Sequence, residues 1–169
     1  MDAKQTPQAG GILPGLLDYN VLSQMSDQQL KELFGLRDFF TQELDFAAVA
    51  AGDTPTASFT VQNDANFLWQ MGAFVADIAG AAQEEASRVI PLVSCIIKDQ
   101  SSGRDLMQNP VPIPSLFGDG RLPFILPTPR FFQANTQVTL NLLNFSNATT
   151  YNLKLQFIGT KFFKFAQQL

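Results

Sequence analysis

The sequence predicts a mainly β protein, an antiparallel sandwich or barrel of about seven or eight short strands. Three observations carry this reading. Apolar and polar residues alternate with period two over Thr56–Gln62, Gln137–Leu142 and Tyr151–Phe157, the pattern of strands with one face buried. Turn-forming clusters recur at Gly52-Asp53, Asn63-Asp64, Ser101-Ser102-Gly103, Gly118-Asp119-Gly120 and Ser146-Asn147, each separating runs of strand length. Helical periodicity shows in only one short stretch.

Residues 1–25 read as an N-terminal arm. Pro7, Gly10-Gly11 and Pro14 interrupt any regular element, yet Ile12, Leu13, Leu16, Leu17 and Tyr19 are too apolar for a solvated tail. Such a segment is expected to bury itself, either on its own domain or on a neighbouring subunit. Residues 26–37 are expected to be a short helix. Ser26-Asp27-Gln28-Gln29 has the form of a capping box, and Leu30, Leu33 and Phe34 follow at helical spacing, one apolar face to lie on a sheet. The β-sandwich domain then occupies 38–169. Phe67, Trp69 and Met71 alternate with Leu68, Gln70 and Gly72, and the apolar, β-branched run from Arg88 to Lys98 suits a strand buried on both faces.

Six of the ten prolines fall between Pro110 and Pro129. Proline cannot donate to a ladder, so a long ordered loop crossing the sandwich is expected there, with a helical turn near Ser115-Leu116-Phe117. Its apolar members, among them Ile113, Leu116, Phe117 and Phe124, have two readings. A rigid loop loses little entropy on docking and could be a subunit contact, or it could close an open end of its own sandwich.

Charged residues make up 15% of the 169 residues and hydrophobic ones 46%. So little charge leaves a neutral surface of the kind found on proteins that pack against other subunits, and a homo-oligomer is expected. The net charge is −4 and the eleven cations are scattered, which does not suit the clustered basic face that nucleic acid requires. Lys161-Phe162-Phe163-Lys164-Phe165 is read as a strand end or tail. The first residues lack the basic and apolar regions of a secretory leader, and no apolar run approaches the length of a membrane-spanning helix. Synthesis and assembly in a reducing cytoplasm, with no membrane partner, are therefore expected.

The residue types needed for common chemistry are scarce. There is no histidine and a single cysteine, Cys95, in an apolar run, so Ser–His–Asp and Cys–His nucleophile systems are excluded and no credible zinc, copper or iron ligand set exists. Phosphate-cradling glycine loops are missing. Glu43 with Asp45, Glu84 with Glu85, and Asp99 with Asp105 are the close acidic pairs. Each reads more simply as surface charge or turn chemistry, with Lys98 or Arg104 pairing the last. No catalytic residue, metal or cofactor is expected, and the chain is read as a non-enzyme. Trp69 remains a candidate for stacking on a sugar, although its place on an alternating strand favours the core.

From about Phe39 to Phe163 the order of motifs resembles that of small structural proteins of tailed bacteriophages. The pieces are Phe67-Leu68-Trp69, Ala76-Asp77-Ile78-Ala79-Gly80, Arg88-Val89-Ile90-Pro91-Leu92-Val93 and Ser102-Gly103-Arg104-Asp105-Leu106. Asn109-Pro110-Val111-Pro112, Leu122-Pro123 and Leu126-Pro127-Thr128-Pro129-Arg130-Phe131-Phe132 follow. Leu142-Leu143-Asn144-Phe145-Ser146 and Phe157-Ile158-Gly159-Thr160-Lys161 complete the series. The resemblance covers about three quarters of the chain and omits the arm. It implies a jelly-roll-like sandwich in a virion, as a decoration, cement or minor capsid protein that touches the major capsid protein, or as a neck, tail or fibre component. It brings no catalytic residues with it.

Overall fold

The computed structural model describes Ser26 and residues 37–81 and 88–163. Seven strands of five or more residues form two facing sheets. They are β1 (Arg37–Val49), β2 (Thr56–Thr60), β3 (Ala65–Ile78), β4 (Val93–Asp99), β8 (Phe124–Phe132), β9 (Gln137–Asn144) and β10 (Tyr151–Phe163). The two-residue strands β5 (Arg104–Asp105), β6 (Val111–Pro112) and β7 (Gly118–Asp119) fill in the edges. The first sheet runs β1-β10-β3, with β7 and β8 both on the far side of β3. The second runs β2-β9-β4, with β5 and β6 beyond β4. Successive long strands alternate between the sheets, so every pairing among them joins residues far apart in sequence. All of these pairings are antiparallel except β3 with β7.

The period-two pattern places the core. In β10, Tyr151, Leu153, Leu155 and Phe157 point between the sheets. Val138, Leu140 and Leu142 of β9 and Val93, Cys95 and Ile97 of β4 meet them from the other side. In β3 the inward set changes phase, from Phe67 and Trp69 to Phe74 and Ala76. The extra residue is Gln70: Ile158 pairs with Met71 and Gly159 with Trp69, which leaves Gln70 without a place in the register. The bulge turns the Met71 carbonyl to accept the Trp69 indole N–H at 2.6 Å. It also brings the backbones together, because a Cβ on Gly159 would stand 1.9 Å from the Leu68 carbonyl oxygen.

The buried polar side chain of Asn144 is tied down. Asn144 is fully buried; its amide donates to the carbonyls of Val49 (3.0 Å) and Thr149 (2.8 Å), and its Oδ1 accepts from the Ser146 amide (2.9 Å). It thereby joins the ends of three chain segments where an apolar residue would leave acceptors unmet. Asn147-Ala148-Thr149 lies in this turn, with the Ser146 hydroxyl accepting from the Thr149 amide. Cys95 is buried, and loss of solvent pushes its thiol up to about 12. Iodoacetamide at mildly alkaline pH is expected to leave the native protein unlabelled and to modify Cys95 fully once denaturant unfolds it. Labelling of the native protein at the unfolded rate would place this thiol outside the core.

Several expectations are corrected. Arg37 already belongs to β1, so the expected helix cannot extend to it; apart from Ser26, the remainder of 26–37 lies outside the described residues, as does the arm with Ile12, Leu13, Leu16, Leu17 and Tyr19. The run from Arg88 to Lys98 becomes a strand only at Val93, and Ile90 and Leu92 are exposed. The proline-rich stretch is not one loop. It leaves the second sheet at β6, makes a 3₁₀ turn at Ile113–Ser115, and enters the first sheet at β7 and β8. Pro127 and Pro129 lie within β8, an outer strand. Its register jumps from Arg130 opposite Trp69 to Ile125 opposite Met71, so the intervening residues need no ladder donors.

Candidate interaction surface

The crossing from β6 to β7 decides two of the predicted contact residues. Ile113 and Phe117 are fully buried, with the amides of Leu116 and Phe117 both donating to the Ile113 carbonyl. Phe117 packs edge-on against Phe157 at 5.4 Å and beside Trp69 at 5.9 Å. These side chains close their own sandwich and are not subunit contacts. Leu116 and Phe124 are half-buried against the same core. Trp69 is 2% exposed and surrounded by Phe117, Phe132 and Phe157, so it offers no face for a sugar.

Exposed apolar side chains lie elsewhere, and the alternation rule missed them because they fall at strand ends and turns. Phe145 donates its amide to the Leu92 carbonyl (3.0 Å), and Ser94 pairs with Leu143 in the next position. Leu92, Leu143 and Phe145 therefore share the outer face of the second sheet, 49%, 37% and 49% exposed. Below them the face is uncharged. Thr56 donates to Asn141 (2.8 Å) and Gln137 to Ser58 (3.0 Å). A shallow depression of about 370 Å³ runs beside Leu143, Pro110 and Thr54. Charge enters at Lys98, paired with Asp105 at 3.5 Å. Leu122 and Ile125 are exposed on the β7–β8 edge of the first sheet. A cleft of about 270 Å³ lies on that side, lined by Val75, Ile90, Arg88, Asp119 and Arg121.

The outer face of the first sheet differs. Lys154 bridges Glu43 (3.3 Å) and Asp45 (3.7 Å), and Gln156 donates to Glu43 (3.1 Å). The Gln156 hydrogen bond does most to hold Glu43 below its usual value; burial opposes it, and the hydrogen bond and charge of Lys154 add to the lowering. Because that pKa is depressed, the small stabilisation is present at neutral pH and fades as pH falls through the lowered value.

Asp99 and Asp119 serve turns. Asp99 accepts from the hydroxyls of Ser101 (2.7 Å) and Ser102 (2.9 Å) in a hairpin turned by Gly103 at φ 63°. Asp119 accepts from the amides of Arg121 and Leu122, both at 3.0 Å. Among the described residues no three His, Cys, Asp or Glu side chains gather as a metal site, and no helix is long and apolar enough to cross a membrane. Lys161 lies near the end of β10, as expected of a strand end, and points between the sheets. It is 5% exposed, with its ammonium 3.7 Å from the Phe40 ring centroid and donating to Gln62 Oε1. A cation–π contact and one amide acceptor hold this charge.

No protein-family model, curated protein or solved structure matches the chain.

Proposed function

We propose that this chain is a non-enzymatic structural protein of a bacteriophage virion, working through subunit contacts as a capsid decoration, cement or minor capsid protein. The observation that carries the reading is the group of exposed apolar side chains Leu92, Leu143 and Phe145 on the outer face of the second sheet, which carries charge only towards its other end, at Lys98 and Asp105. Exposed apolar residues are ordinary when single; a group on a face with little charge is the mark of a surface that another protein covers. Strand order adds support. With β1-β10-β3-β8 facing β2-β9-β4-β5 and successive long strands alternating sheets, the arrangement suits a jelly roll of two interlocked Greek keys, an architecture used by capsid and lectin domains. The fold alone does not assign a role. The phage setting rests on the motif resemblance from Phe39 to Phe163, which also accommodates a neck, tail or fibre position. The partners are then a second copy of the chain and a major capsid or neck protein. The location is the virion, assembled in the host cytoplasm.

Light scattering over a concentration series tests the self-association. The full-length protein is expected to exceed the monomer mass. Leu92→Asp with Phe145→Asp is expected to weaken association about ten-fold or more by burying charge in the contact, with Trp69 emission unchanged. A monomer at every concentration overturns the homo-oligomer. Equal association by the double variant moves the contact to another face. Removing residues 1–22 is expected to leave the sandwich folded and abolish assembly. Failure of the shortened chain to fold would assign the arm to the domain's own core.

A further inference from the structure

The buried ammonium of Lys161 is short of partners. Exposed lysines of this chain meet carboxylates, Lys98 with Asp105 at 3.5 Å and Lys154 with Glu43 at 3.3 Å, where water already screens the charge. Lys161 is 5% exposed and has given up that screening, yet among the described residues no carboxylate pairs with it. Asp38 stands opposite it in the β1–β10 register but is exposed and forms no ion pair with it. An ammonium has three N–H donors. One reaches Gln62 Oε1 at 2.5 Å, and the charge lies 3.7 Å from the Phe40 ring centroid. A buried cation held by one neutral acceptor and a ring gains less than one set beside a counter-charge.

The side chain also lines a cleft of about 80 Å³ between β1 and the end of β2, the two strands that edge this side of the sandwich. Phe40, Phe59 and Phe67 form its walls, with Phe40 edge-on to Phe67 at 5.8 Å. Gln42 and Gln62 line it as well. Gln62 turns its Oε1 to Lys161, which leaves its Nε2 as a donor, and Gln62 is exposed, so solvent reaches this end. Gln42 Nε2 gives one N–H to the Glu43 carbonyl (3.2 Å) and keeps the second. The cleft therefore combines a buried cation, two amide donors and apolar walls. That set matches a group with two negatively charged oxygens on a short apolar body. The space is well below the roughly 300 Å³ of a pocket for a drug-sized molecule, which excludes a sugar ring or a nucleotide.

We propose that this cleft binds a small monocarboxylate, of acetate to butyrate size, with its oxygens on Lys161 Nζ and the Gln62 amide and its alkyl end against Phe40 and Phe59. The ligand supplies the counter-charge that the chain itself does not place beside Lys161. The site is separate from the outer face of the second sheet and independent of the virion reading.

The side-chain amide resonances of Gln42 and Gln62, followed by NMR as sodium acetate or sodium butyrate is added to the full-length protein, test it. Saturable shifts are expected, with none from acetamide or from sodium chloride at the same ionic strength. Equal shifts with chloride would mean an adventitious ion only and overturn the proposal, as would no shift with either carboxylate. Lys161→Met, an apolar replacement of similar length, is expected to fold and to lose the response; a response that survives it overturns the assignment. Gln62→Glu keeps the test decisive should that variant not fold. It sets a carboxylate of the chain's own where Gln62 Oε1 now meets Lys161. It is expected to raise the melting temperature by about 3 °C and to weaken acetate binding, read at Gln42, by about ten-fold or more. A lowered melting temperature, or acetate binding equal to the parent's, counts against the site. If neither carboxylate binds but Lys161→Met reduces association in light scattering, the counter-charge belongs to another protein chain and the small-ligand assignment falls.

Discussion

Gly159→Ala is expected to destabilise the protein by more than about 3 kcal/mol, and soluble yield should fall with it. The cause is backbone, not side-chain, crowding. A Cβ at this position meets the Leu68 carbonyl oxygen at 1.9 Å and its carbon at 2.9 Å, atoms fixed by the central β3–β10 pairing and unable to rotate aside. Relief requires opening the bulge at Gln70, which also aims the Met71 carbonyl at the indole of Trp69. Urea unfolding of purified Gly159→Ala gives the measurement, with Gly52→Ala as the comparison. Gly52 has φ 81° but open space around it, so its cost is backbone strain of about 1–2 kcal/mol. Equal loss in the two variants would mean that the close approach at Gly159 relaxes easily.

Trp69→Ala is expected to cost about 3–5 kcal/mol, lowering the melting temperature by on the order of 10 °C for a chain of this size. The indole packs 4.7 Å from Phe157, with Phe117 and Phe132 on its other sides, and removing it leaves a cavity that these rings cannot fill without losing their own contacts. Trp69→Phe should fall between the two, because the ring is largely replaced while the Met71 carbonyl loses its 2.6 Å donor. Trp69 is the single tryptophan, so its emission in the native protein reports this site alone. A blue-shifted maximum inaccessible to iodide is expected. Red-shifted, quenchable emission together with a mild Trp69→Ala would return Trp69 to the surface and revive a sugar-stacking role.

The two predictions mark where local pattern reaches its limit. Alternation in Tyr151–Phe157 and Gln137–Leu142 identifies inward residues correctly because nothing interrupts those strands. In β3 the same rule puts Phe67 and Trp69 in one phase and Phe74 and Ala76 in the other. Both pairs are buried only because Gln70 is extra, and no local signal announces a bulge whose cause is the approach of a glycine 90 residues away, near the end of the chain. Ile113 and Phe117 could be legible as apolar but not as inward, since a proline-fixed segment has no periodicity to read. Their direction comes from a turn that hands the chain from one sheet to the other. Lys161 shows the opposite failure. Its charge suggests solvent, while its strand position, opposite Phe67 and beside Phe40, points it between the sheets.

By itself the sequence determined the β class, the arrangement of turns, the apolar sets of the uninterrupted strands and the lack of histidine chemistry, because these depend on composition and on neighbours a few residues apart. Tertiary structure alone decided which outer face carries Leu92, Leu143 and Phe145, and which buried positions belong to Trp69, Phe117 and Lys161. Those outcomes depend on pairings such as Ser94 with Leu143 and Gly159 with Trp69, contacts between distant residues whose register is set by the packing of the two sheets as a whole.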